Sequence, residues 1–248
     1  VAADGDTGLP HQLNFYNDFV RSNKERTVVI ISDAMRYEVG RSLFEKLQAD
    51  AKCTASISAM QSVLPSYTKF GMAALLPHNT IEVLPDSRAL ADGKPTDDIK
   101  QREAVLQAAN PDSRCVKYDD IKSMNVSALR DVFTGQNVVY VYHDQIDARG
   151  DHASTENEVF NACEEAVEEI YFLVRKLTSS ANTIHYIITA DHGFIYKRDK
   201  LSESDKISGI PDADRRYALT DRDVQGEGVA SLLDSFSLTF ATKSLATL

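Results

Sequence analysis

Three short runs constrain the fold more than any other feature of the chain: Thr27-Val-Val-Ile-Ile-Ser32, Gln136-Asn-Val-Val-Tyr-Val-Tyr142 and Thr183-Ile-His-Tyr-Ile-Ile-Thr189. Each is β-branched or aromatic and lacks the strict alternation of a half-exposed strand, the pattern of a strand buried on both faces. A sheet of such strands needs helices on both sides, and the intervening sequence supplies them. Glu38 to Asp50 carries Val39, Leu43, Phe44 and Leu47 at helical spacing. Thr68 to Leu76 carries Phe70, Met72, Leu75 and Leu76, and Pro77 stops it. Asp97 to Ala109 opens with acids, as a helix dipole prefers, and Ala128 to Phe133 adds a short helix. Ser154-Thr155 is expected to cap a long helix to about Leu177. Cys53 to Ala59 and Thr80 to Leu84 read as further strands. This alternation predicts an α/β fold with a mostly parallel sheet flanked by helices.

The 248 residues suit a single domain, residues 1–248, and the first residue, Val1, suggests a piece of a longer protein. Residues 85–96 and 198–228 are rich in Asp, Gly, Pro and charge. They read as loops, the second long enough to act as a lid. The tail from Val229 is apolar and fits either a strand pair or a strand with a helix. The net charge of −10 argues against a sequence-independent nucleic-acid surface. It does not argue against phosphate chemistry, because bound cations can supply the missing positive charge. Cys53, Cys115 and Cys163 are far apart and form no metal-binding or disulfide pattern, which points to a reducing, cytoplasmic setting. No apolar run approaches the roughly 18 residues of a membrane span, so no membrane partner is expected.

Ligands of open parallel sheets bind beyond the carboxyl ends of the strands. Ser32-Asp33 follows the first run, His143-Asp144-Gln-Ile-Asp147 and then Asp151-His152 follow the second, and Asp191-His192-Gly193 follows the third. Carboxylates gathered on one rim repel unless they are protonated or bridged by cations. Asp oxygens with His nitrogens suit zinc, and such acids also suit manganese or magnesium. Leu64-Pro-Ser-Tyr-Thr-Lys-Phe-Gly71 adds hydroxyls at a helix start, where free N–H groups favour a phosphate. Each signal has an ordinary reading: a strand-end acid, an N-cap, a turn with glycine. Their coincidence at strand ends and one helix start favours a site.

Together these stretches resemble the alkaline phosphatase superfamily, and within it the PglZ family associated with BREX-type bacteriophage defence. The similar segments are Leu9-Pro-His-Gln-Leu-Asn-Phe-Tyr16, Val28 to Glu38, Leu64 to Met72, Tyr140 to Asp151 and Ile188-Thr-Ala-Asp-His-Gly-Phe194. The resemblance implies an alkaline phosphatase-like core and two divalent metal ions, zinc foremost, with manganese or magnesium as alternatives. It implies Asp33, Asp191 and His192 as ligands of one ion and Thr68 as the metal-assisted nucleophile, with Ser66 less suited. Leu75-Leu76 follow Thr68 at the superfamily's spacing. For the second ion it implies Asp147 and a ligand four residues on. That position holds Asp151 where the superfamily usually has His, and His152 is held in reserve.

The superfamily usually completes its second site with a further His, and none follows His192. The expectation is that this ligand lies outside the chain. Arg36 and Lys69 are expected to neutralise charge on phosphate oxygens. The implied activity is a phosphatase or phosphodiesterase acting on a phosphoester, with a nucleotide or nucleic acid as substrate. Implied partners are other defence proteins such as a DNA methyltransferase. A non-catalytic scaffold that keeps the phosphatase fold is the alternative. A sulfatase is disfavoured because no cysteine occupies the nucleophile position.

Overall fold

The computed structural model describes residues 8–84, 86–150 and 158–193, together with four short strands further on. Its centre is a parallel sheet with the strands in the order Ser113–Lys117, Val138–His143, Thr27–Ser32 and His185–Thr189. Strand β1 (Thr27–Ser32) leads into helix α1 (Tyr37–Ala49). Helix α2 (Thr68–Ala74) follows, then the short strands β2 (Ile81–Val83), β3 (Ala89–Ala91) and β4 (Lys94–Pro95). Helix α3 (Ile99–Ala109) precedes β5 (Ser113–Lys117), α4 (Tyr118–Ile121) and α5 (Val126–Phe133). Strand β6 (Val138–His143) then leads through α6 (Gln145–Gly150) and the long α7 (Val159–Ser180) to β7 (His185–Thr189).

Alternation along β1 explains the layering. Val28 and Ile30 pack with α1, α5 and α7 around Leu43, Phe133 and Ile170. Val29 and Ile31 pack on the other face with Phe15, Leu75, Leu76 and Leu106. All six residues of β1 are buried, as are all six of β6. A third cluster, including Val63, Phe70, Ile81 and Val83, seats α2 on the small β2–β4 sheet. Helix α2 is thereby clasped between two sheets. Tyr140 ties its end to β6 by donating its hydroxyl to the Leu75 carbonyl at 2.8 Å.

Most of the predicted elements form. Helix α3 starts at a capping box, with the Asp98 side chain accepting from Gln101 N–H and the Gln101 side chain returning to the Asp98 backbone. Cys53 to Ala59 does not form a strand. Its side chains alternate between half-buried and exposed, but it joins no ladder among the described residues. Strand β5, at the edge of the sheet among the described residues, escapes the sequence patterns because Ser113-Arg-Cys-Val-Lys117 buries only Ser113 and Cys115 and holds one β-branched residue. Among the described residues β7 ends the ladder order on the other side, and its five residues are half-buried. His185 is therefore not a core residue, and its Nδ1 lies 3.1 Å from Thr27 Oγ1 at that edge.

The predicted cap at Ser154-Thr155 lies outside the described residues. Within the predicted 198–228 loop, Tyr217–Thr220 is a strand. Val229–Ala230, Thr239–Phe240 and Ser244–Thr247 give the tail strands and no helix among the described residues. No described helix is long and apolar enough to cross a membrane.

Candidate metal and nucleophile site

Strand register builds one side of the site. Ile31 is level with Thr189, so Asp33 and Asp191, each two residues further on, leave adjacent parallel strands at the same height. The chain turns sharply after Asp33. Ala34 is buried and takes a φ of 62°, a left-handed conformation costly for an L-residue. That turn lets the Ala34 N–H donate to Asp191 Oδ1 at 3.2 Å. Backbone strain at such a point marks a place where the surrounding structure holds an unusual geometry.

His192 follows directly. Its Nε2 lies 3.2 Å from Asp33 Oδ1 and 3.6 Å from Asp191 Oδ2. Thr68 Oγ1, at the first residue of α2, is 3.0 Å from the same nitrogen. Asp33, Asp191 and His192 are all buried, and one ligand atom from each falls within 4.8 Å of the others. Apart from these ion-pair contacts to Nε2, Asp33 Oδ1 and Asp191 Oδ2 make no well-formed hydrogen bond, and neither does His192 Nδ1. Two buried carboxylate oxygens left unmatched around one imidazole nitrogen are costly in an empty protein and natural for a divalent cation. The residues present fit such an ion.

Electrostatics carry the same message. Burial, reinforced by the charge of Asp33, pushes the Asp191 carboxyl well above the usual carboxylate range. Burial alone would lower the His192 pKa. Its contact with Asp33 and the charges of Asp191, Asp33 and Asp147 outweigh that and raise it to about 9.

The remaining predicted residues are placed as follows. Asp147 sits half-buried in the first turn of α6, close enough for its charge to act on His192. Asp151 and His152 lie outside the described residues. Arg36 pairs with Glu38 at 2.7 Å and packs against the turn at Gly193, where a Cβ would meet Arg36 Cγ at 3.3 Å. Lys69 is exposed, and its charge helps hold the Asp86 carboxyl low, behind the Arg88 contact that dominates there. Ser66 donates to the Gly193 carbonyl at 3.2 Å and so fastens the turn. His143 is engaged on both nitrogens, by Ser32 Oγ at 3.1 Å and Glu169 at 2.9 Å. A cleft of about 1050 Å³ runs between α1 and β7 and opens onto Arg36, Ser66, Asp191 and His192.

Sequence reasoning missed how α2 reaches the Asp191 turn. Gly71 faces the Asp191 backbone so closely that a Cβ there would lie 2.2 Å from its carbonyl oxygen and 2.7 Å from its carbonyl carbon. Neither atom belongs to a flexible side chain, so alanine at 71 must push α2 and the turn apart. Overpacking of this kind costs about 1–3 kcal/mol. Chemical denaturation of Gly71→Ala should show a loss in that range, and an unchanged midpoint would mean that the contact relaxes freely.

Comparison with known proteins identifies the family of the chain. A family model described as the BREX system PglZ alkaline phosphatase-like domain matches residues 14–241. The alkaline phosphatase-like protein PglZ of Bacillus cereus (strain H3081.97) is 44% identical over 203 residues, which is 81% of this chain and 24% of that protein. The alkaline phosphatase-like protein BrxZ of Escherichia coli O9:H4 (strain HS) is 39% identical over 206 residues, 80% of this chain and 24% of that protein. The chain thus spans about a quarter of the length of these relatives. With the family model covering most of its length, the chain belongs to the PglZ family of BREX-system alkaline phosphatase-like domains.

Proposed function

We propose that this domain is a metal-dependent phosphoric ester hydrolase in which Thr68 is the nucleophile. The observation that carries the reading is the Thr68 hydroxyl lying 3.0 Å from His192 Nε2, beside two buried carboxylates with unmatched oxygens. Asp33, Asp191 and His192 would hold one divalent cation, and Asp147 with Asp151 or His152 would contribute to a second. When bound, such ions supply Lewis-acid charge that favours an ionised hydroxyl and a negatively charged leaving oxygen.

The chain's own groups do the rest. Thr68 Oγ1 gives up its proton to solvent and forms the bond to phosphorus as the bond from phosphorus to the ester oxygen breaks and the alcohol leaves; water then cleaves the phosphothreonine, releasing the phosphate product and returning a proton to Oγ1. Asp33 and Asp191 flank the His192 imidazole and hold it in place. Arg36, which pairs with Glu38 and packs against the Gly193 turn, would pair with non-bridging phosphate oxygens.

The substrate class proposed is a phosphoester of a nucleotide or nucleic acid, processed in the cytoplasm within a bacteriophage defence system. Other proteins of that system, a DNA methyltransferase among them, are the proposed partners. The full-length protein, stripped with EDTA and reloaded with zinc or manganese, is expected to hydrolyse bis-nitrophenyl phosphate or a nitrophenyl phosphate only in the loaded form. A reloaded protein that turns over neither ester above buffer, and whose melting temperature ignores both metals, would favour the scaffold instead.

A further inference from the structure

The motif Leu9-Pro-His-Gln-Leu-Asn plays no part in the chemistry above, yet it sends one side chain to the heart of the site. Gln12 is 1% exposed. Its Nε2 donates to the Asp191 carbonyl at 2.6 Å and to the Gly71 carbonyl at 3.4 Å. Its Oε1 accepts from the Val63 N–H at 3.0 Å and from Ser62 Oγ at 3.1 Å. Its own N–H donates to the Gln61 carbonyl at 2.9 Å, which anchors it to the segment that leads into Thr68.

An amide has two donor hydrogens and two acceptor lone pairs, and all four are used here. The network also fixes which end is which, since a flipped amide would set its oxygen against two carbonyls. Glutamate would make the same clash. Leucine or methionine would leave the Asp191 carbonyl and the Val63 N–H without these partners. The three segments joined lie 51, 59 and 179 residues from Gln12, so no local structure accounts for the arrangement.

We propose that Gln12 is a positioning residue that sets the distance between Thr68 and the Asp191-His192 pair by tying α2, its approach and the Asp191 turn to one amide. Its catalytic consequence rests on the hydrolase reading. Gly71 permits the close approach, and Gln12 holds it. Gln12 touches neither the Thr68 hydroxyl nor a carboxylate of the site. A shift of about 1 Å between reacting groups costs on the order of a hundredfold in rate.

The test uses the full-length protein with Gln12→Ala and the isosteric Gln12→Glu, read in two ways. In crystals of either variant the Thr68 Oγ1 to His192 Nε2 separation is expected to open beyond hydrogen-bonding distance. With saturating zinc, kcat on bis-nitrophenyl phosphate should fall about a hundredfold with KM little changed, as for a loss felt in the transition state. Leu129→Val, a core truncation on the opposite face of the sheet, should lose stability and keep kcat. A separation still near 3.0 Å, or a kcat that falls only with the folded fraction, overturns the proposal. A parent that hydrolyses nothing refutes the hydrolase reading and leaves the separation to decide this one.

Discussion

Thr68→Ala is expected to lower kcat of the full-length protein on a phosphodiester by at least about a thousandfold, the scale seen when a nucleophile is removed. The loss should be confined to the chemical step. Thr68 is half-buried at the first residue of α2, and its polar contact is with His192. The core beneath it is made by Phe70, Leu75 and Leu76, which the substitution leaves alone. Zinc affinity and melting temperature should therefore stay near the parent's. Thr68→Ser keeps the hydroxyl and should retain much of the activity. Equal turnover by Thr68→Ala and the parent would move the nucleophile elsewhere, with Ser66 next in line.

Asp191→Asn is expected to abolish stabilisation by zinc while leaving the metal-free chain at least as stable at pH 8. In the parent, zinc at a hundred times its Kd should add about 2.7 kcal/mol, or roughly 5–10 °C for a domain of this size. Asp191 and His192 both have raised pKa values, so the folded, metal-free site binds more protons than the unfolded chain. Stability of that form must then fall as pH rises. The His192 contribution is complete below its ordinary value of 6.5 and is gone above about 9. A cation takes the place of those protons, so the zinc shift should widen from pH 6 to pH 9. Asparagine removes one of the two facing carboxylates, and with it both the repulsion and a ligand. Scanning calorimetry in EDTA and in zinc separates these effects. A zinc shift in Asp191→Asn equal to the parent's would show that the ion binds elsewhere.

The sheet was legible because burial on two faces leaves a plain mark: β1, β6 and β7 each stand out as β-branched or aromatic runs. Strand β5 left no such mark, since its buried positions are the small Ser113 and Cys115 and its β-branched content is Val116 alone. The Cys53 to Ala59 run shows the converse. Its alternation is real, but alternation reports two environments and not a hydrogen-bonded neighbour. The acids after the strands were readable as a rim. Their meeting with Thr68, 124 residues from His192, was legible only through resemblance, because spacing along a chain does not encode contact across it. Gln12 was invisible as a working residue. A lone amide in a short polar-apolar stretch has no periodicity to betray it, and its function resides wholly in partners supplied by distant backbone.

The close approach of Gly71 to the Asp191 carbonyl, which a Cβ on residue 71 would block, also supplies a rule for comparing chains. A threonine followed three positions later by anything but glycine cannot sit against an Asp-His-Gly turn in this way, whatever the rest of its helix looks like. Proteins that pair Thr-x-x-Gly with a downstream Asp-His-Gly are thus the ones to group with this chain, and those that keep the acids but bear a side chain at that position will have had to rebuild the floor of their site.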